Sequence, residues 1–152
     1  MVLMKTNLKS TLARGAVNMS STNTNADIVY LSVKGDTRKF VNKLTDGTEY
    51  TSLELDMETE TTEMTKEFLF VIPSYQENVF PEVYDMAEIF FESGDNAKLC
   101  KGIIGTGNMN FAQLYCVTAK DMSKMFDIPV VYKIEMQGSK VDVKNVREGL
   151  LN

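Results

Sequence analysis

Phe68-Leu69-Phe70-Val71-Ile72 places five apolar residues in a row, followed at once by Pro73-Ser74. The run is too short for most helices. Its unbroken apolar character means that successive side chains are covered on both faces, as in the middle strand of a parallel sheet. Working outward, Ile28-Val29-Tyr30-Leu31 reads as the first strand, and the less apolar Tyr50 to Leu55 as an edge strand. Leu99 to Ile104 reads as a strand broken by Gly105, and the stretch from Pro129 as a last strand. In that last strand Val130, Tyr132, Ile134 and Met136 alternate with Val131, Lys133 and Glu135, which predicts one wetter face.

Helical periods fill the gaps between these runs. Phe40, Val41 and Leu44 follow Thr37 at helical spacing, and Asp46-Gly47 closes that segment. Pro81 suits the first turn of a helix with Val83, Met86, Ala87 and Phe90 on one side, ended by Gly94-Asp95. Phe111, Leu114, Tyr115, Thr118, Met122 and Met125 recur at intervals of three and four, predicting a further helix. Ser139 to Asp142 has the form of a capping box for a final helix to Leu151, with Val143, Val146 and Leu150 inward. Five strands interleaved with four helices, joined by right-handed crossovers, predict a doubly wound α/β three-layer sandwich. Ligands of such sheets sit at the carboxyl ends of the strands, where strand order reverses.

The 152 residues suit one domain, residues 27–152, with its own core. Residues 1–26 begin basic and acid-free, then run through polar Asn18 to Asn25; they read as a disordered extension, or as sequence upstream of Met19. A net charge of -5 disfavours a phosphate-gripping nucleic-acid binder. The absence of histidine excludes Ser-His-Asp, Cys-His and HExxH chemistry. Cys100 and Cys116 are too few for a thiolate zinc site; they read as buried thiols of a reducing compartment, with a disulfide left open. No run is long and apolar enough to span a bilayer, so no membrane association is expected and the cytoplasm is the expected location.

Three strand-to-helix loops then carry the functional reading. Ser32-Val33-Lys34-Gly35-Asp36-Thr37-Arg38 offers hydroxyls, a glycine and backbone N–H groups at a helix N-terminus, where anions bind. It is neither GxxxxGK followed by Ser or Thr nor GxGxxG, so a mononucleotide phosphate suits it better than ATP or NAD. An ordinary turn capped by Asp36 or Thr37 is the equal alternative. Pro73-Ser74-Tyr75 brings a polar and an aromatic residue to the same edge, with Tyr75 placed either against a flat ring or at the rim of the core. Gly105-Thr106-Gly107-Asn108-Met109-Asn110-Phe111 supplies free amides and Asn side chains suited to the edge of a flavin, with Phe111 or Tyr115 as a stacking face. The other reading is a plain Gly-Asn turn. Gly107→Val is expected to weaken ligand binding by obstructing backbone approach, and Cys116 reads as a structural thiol.

The stretch Gly102-Ile103-Ile104-Gly105-Thr106-Gly107-Asn108-Met109-Asn110-Phe111 resembles the NrdI family. So do Tyr115 to Lys120, Ile128-Pro129-Val130, and Glu135-Met136-Gln137-Gly138-Ser139 with Asp142-Val143. The resemblance implies a flavodoxin-like three-layer sandwich whose five-stranded parallel sheet has the order 2-1-3-4-5. It also implies FMN, with Ser32, Gly35 and Thr37 matching the family's phosphate loop, and Pro73, Ser74, Tyr75, Gly107, Asn108, Asn110 and Phe111 matching the loops around isoalloxazine; Lys34, Asp36, Thr106, Met109 and Tyr115 lie in or beside the same loops and complete the expected cofactor-binding set. The implied role is that of a redox accessory to the class Ib ribonucleotide reductase small subunit, supplying electrons or a flavin-derived oxidant to its dimanganese-tyrosyl radical site, with a flavin-reducing partner upstream. The chain departs from the family pattern at Lys34, Asp36 and Met109 and in the short Gln76 to Val79 stretch. Two other readings stand beside it: an interaction or regulatory paralogue with weakened or lost FMN binding, and a general electron-transfer flavodoxin.

Overall fold

In the computed structural model, which describes residues 23–74, 81–110 and 115–152, the apolar run forms β3 (Phe68–Pro73) at the centre of a five-stranded sheet. The chain order is β1 (Ile28–Tyr30), α1 (Asp36–Thr45), β2 (Ser52–Glu54), β3, α2 (Pro81–Glu92), α3 (Asn96–Leu99), β4 (Cys100–Gly107), α4 (Val117–Phe126), β5 (Val130–Glu135) and α5 (Lys140–Val146). The sheet order is β2-β1-β3-β4-β5 and every pairing is parallel. The strand order thus reverses between β1 and β3, and their carboxyl ends open the crevice expected of such sheets.

β3 is covered on both faces. Phe68, Phe70 and Ile72 pack into one core with Val83, Ala87, Phe90 and Phe91 of α2 and Met122 of α4. Leu69 and Val71 face the other core, with Phe40, Val41 and Leu44 of α1 and Val143 and Val146 of α5. Phe70 stacks on Phe90 with ring centroids 5.6 Å apart, and Phe91 lies 4.6 Å from Phe70. α1 is amphipathic at the predicted spacing, burying Thr37, Phe40, Val41 and Leu44. The Ser139–Asp142 capping box forms in both directions and starts α5. At the other end of the domain boundary, Ala26 is fully buried and Thr24 O accepts from Thr65 N at 2.7 Å, so Asn23–Ala26 are joined to the folded unit.

Four sequence expectations are corrected. Gly105 does not break β4, which runs on to Gly107. A Cβ at Gly105 would stand 2.8 Å from Cys116 Cβ and 2.9 Å from Ala119 Cβ, so the glycine is there because α4 lies directly against the strand. α4 starts only at Val117, because Cys116 has φ 58° in the left-handed region; Tyr115 therefore lies in a turn before the helix. Met125 is 52% exposed, and Phe126 faces the core instead, 5.1 Å from the Phe91 ring. Met136 leaves β5 with φ 55°. A register shift beside Val131 explains why simple alternation misreads β5: Val130 pairs with Ile103 and Tyr132 with Ile104, so the two lie over opposite cores. In addition, α3 precedes β4, and the last helix changes after Val146 into a π-helical turn, Arg147–Leu151.

Candidate functional site

The first loop leaves β1 and enters α1 through Gly35, whose φ of 100° is a conformation that glycine alone adopts without strain. The position beside it is open, with nothing within 4 Å of where a Cβ would stand. Ser32 Oγ accepts a 3.3 Å bond from Arg38 N, so its hydroxyl sits over the first turn of α1. Lys34 is exposed, and Gly35 and Asp36 are half-buried. Asp36 does not serve as the N-cap, and its carboxylate accepts from Gln137 Nε2 at 3.3 Å. Arg38 grips Glu54 of β2 at 2.8 and 2.6 Å, and Tyr30 donates to the same carboxylate at 2.9 Å. The loop is therefore pinned to the sheet edge at its far end.

Thr37, fully buried, is the hinge between this loop and the third one. Its Oγ1 lies 3.4 Å from Thr106 Oγ1 on β4. Thr106 O in turn accepts Ser74 N at 2.9 Å, so residues from all three loops meet over the end of β3. Pro73 and Ser74 are buried. Ser74 Oγ is committed to α4: it lies 2.8 Å from Thr118 Oγ1 and accepts Thr118 N at 3.0 Å, while Thr118 Oγ1 donates to Pro73 O at 2.6 Å. Ser74 thus positions α4 rather than presenting its hydroxyl to a ligand.

Beyond Thr106 the third loop turns outward. Gly107 is buried; Asn108 Oδ1 closes the turn by accepting Asn110 N at 2.9 Å, and Met109 is 61% exposed. Tyr115 stands over Gly107, its Cδ1 3.2 Å from where a Cβ would be. Burial, followed by the neighbouring Cys116, pushes the Tyr115 phenol up to about 12, which keeps it protonated near neutrality. Cys116 is fully buried and its thiol is raised to about 11 by burial, so it is a packing thiol. Cys100 is likewise buried and free, and the two form no disulfide. Tyr75 and Phe111, both expected in the site, lie outside the described residues.

The turn after β5 also reaches this edge, and it was not among the residues expected to form the site. Met136 N donates to Gly107 O at 2.7 Å, and Gln137 reaches Asp36. The Gly138-Ser139 step before the capping box was the available signal; reading Met136 as strand concealed it. A separate groove of about 750 Å³ between α1 and α5, lined by Lys43, Tyr50, Val143 and Arg147 among others, includes none of the loop residues.

A phosphorylated flavin suits this donor set. The open glycine at the start of α1, the Ser32 hydroxyl and the first-turn amides fit a phosphate. The Asn108–Asn110 turn beside Tyr115, half-buried at Asn108 and exposed at Met109 and Asn110, fits a planar polar ring. Among the described residues no helix is long and apolar enough to cross a membrane, and no group of three potential ligating side chains could hold a metal ion.

The family model described as NrdI Flavodoxin like matches residues 28–148. A putative NrdI-like protein from Streptococcus pyogenes serotype M3 is 31% identical over 138 residues, covering 82% of this chain and 86% of its own length. Protein NrdI from Mycoplasma genitalium is 29% identical over 129 residues, covering 82% of each chain. Among solved structures, a short-chain flavodoxin associated with a non-canonical PDU bacterial microcompartment superposes with TM-score 0.54 at 17% identity, over 83% of this chain and 93% of that one. Oxidised flavodoxin 2 from Bacillus cereus gives TM-score 0.51 at 14% identity, over 81% and 94% of the two chains. These last two establish the flavodoxin fold.

Proposed function

The chain belongs to the NrdI flavodoxin-like family, and from that premise we propose that it is an FMN-binding redox accessory protein of class Ib ribonucleotide reductase. It supplies electrons, or a flavin-derived oxidant, to the dimanganese-tyrosyl radical site of the small subunit. The observation that carries this reading is the contact between Thr37 and Thr106. It joins the helix N-terminus suited to a phosphate to the strand that leads into the loop suited to the ring.

Ser32, Gly35 and the first-turn amides of α1 hold the phosphate in this reading, and Gly107 to Asn110 with Tyr115 hold the ring. When bound, FMN supplies one- and two-electron redox chemistry. The chain binds, orients and shields. Thr37, Pro73 and Thr106 form a buried floor, and Tyr115 keeps its proton at neutral pH. Val33, Met109 and Met136, each at least half exposed, give the rim an apolar character that supports docking of a protein partner there. The two free, buried thiols agree with a reducing, cytoplasmic setting.

Visible absorption after addition of FMN and desalting is the direct test. A retained yellow chromophore is the expected result. A colourless protein overturns the redox role in favour of a regulatory paralogue that keeps only the scaffold. If FMN is retained, binding of the manganese-loaded class Ib small subunit separates the accessory role from that of a general flavodoxin, which would not bind it.

A further inference from the structure

Asp36 is the first residue of α1, so its carboxylate stands where an anion would use the helix amides. A phosphate dianion beside it meets like charge and a competitor for the same donors. Yet the carboxylate does not cap the helix. Its Oδ1 accepts from Gln137 Nε2 at 3.3 Å, across 101 residues of sequence.

Gln137 is offered from a braced turn. Lys43 Nζ donates to Gln137 O at 3.3 Å and to Gly138 O at 3.1 Å, and Met136 N donates to Gly107 O at 2.7 Å. Gly138 has φ +75°, and a Cβ there would stand 2.7 Å from Phe40 Cδ1, so the turn closes directly on α1. These contacts tie both sides of Gln137 to the two elements, α1 and β4, that frame the site.

We propose that Gln137 is a positioning residue for the phosphate group: by holding the Asp36 carboxylate on its own amide, it leaves the first turn of α1 to the ligand. The inference rests on the FMN reading above and deepens it, because it predicts that Gln137 affects the phosphorylated flavin and not the bare ring.

Fluorescence titration with FMN and with riboflavin, on the full chain and on Gln137→Leu, Asp36→Asn and the double variant, tests it. Gln137→Leu is expected to weaken FMN binding roughly tenfold, the scale of one hydrogen bond to a charged group. Riboflavin affinity should stay within about twofold of the parent, well under the 1.4 kcal/mol of a tenfold change. In the Asp36→Asn background the same leucine should cost FMN little. Gln137→Glu, nearly isosteric, sets a second carboxylate beside Asp36 and should weaken FMN at least as much; it decides the matter if the leucine variant fails to fold. Equal losses for FMN and riboflavin, equal losses in both backgrounds, or no loss overturn the proposal while leaving the FMN reading intact. Failure of the unaltered chain to bind FMN overturns both.

Discussion

Thr37 and Thr106 face each other with their hydroxyl oxygens 3.4 Å apart, 69 residues apart in sequence, and both side chains are buried. One lies in the first turn of α1 and the other near the end of β4. Because Thr106 O also accepts Ser74 N, the loops after β1, β3 and β4 share one anchor. Two polar side chains in an apolar floor are tolerated because each gives the other a partner.

Replacing one of the pair should therefore cost more than replacing both. Thr106→Val leaves the Thr37 hydroxyl without this partner and is expected to destabilise the fold by about 1–2 kcal/mol. Adding Thr37→Val should recover part of that loss, so the double variant falls below the sum of the single ones. Urea midpoints of the three variants measure the coupling, and strict additivity would show that the contact has no energetic weight.

Gly105 tests the packing of α4 on the sheet. Gly105→Ala puts a methyl 2.8 Å from Cys116 Cβ and 2.9 Å from Ala119 Cβ, and should cost about 1–3 kcal/mol through overpacking. Ala119→Gly in the same chain opens space on one side. It should return part of the lost melting temperature despite the helix propensity it sacrifices.

How far the fold is legible in the sequence depends on whether its cause is local or distant along the chain. β3 was readable because burial on both faces leaves an unbroken apolar run, and α1 because its buried face repeats at helical spacing. The Ser139 cap was readable because its signal is local. Gly105 was misread because a glycine required by a helix lying on the strand looks, in sequence, like a glycine ending one. The site followed the same division. Its loops were visible as strand-to-helix joints, whereas the commitment of Ser74 to Thr118 and the reach of Gln137 to Asp36 join distant parts of the chain, and no local pattern announces them.

The Arg38–Glu54–Tyr30 group makes stability depend on pH at both ends. The Arg38 guanidinium, and then the Tyr30 hydroxyl, hold the Glu54 carboxyl below its usual range against the opposing effect of burial. A carboxyl depressed in the folded state stabilises above its unfolded pKa, near about 4.3, and loses that contribution as the pH falls further. Burial, then Glu54, pushes the Tyr30 phenol up to about 12, so its neutral form favours folding below its unfolded value and that contribution fades as the pH rises through the folded one. Glu54→Gln should flatten the acid limb of a denaturation-midpoint profile and lower the tyrosine titration. An unchanged acid limb would show that the ion pair is fully screened.

At Gly107 the structure changes the reason for a prediction rather than its direction. A side chain there meets the protein's own Cys116 N at 3.1 Å and Tyr115 Cδ1 at 3.2 Å, so the first consequence is displacement of the Tyr115 ring. Gly107→Ala needs a shift of a few tenths of an ångström and should cost under about 1 kcal/mol in stability, at the mild end of overpacking. Gly107→Val, with two more methyl groups, should cost more. If Tyr115 faces the ring of the ligand, FMN affinity should fall in the order Gly, Ala, Val while Tyr115→Phe retains most of it, because the phenyl face remains. Loss of melting temperature without loss of affinity would place the ring away from Tyr115.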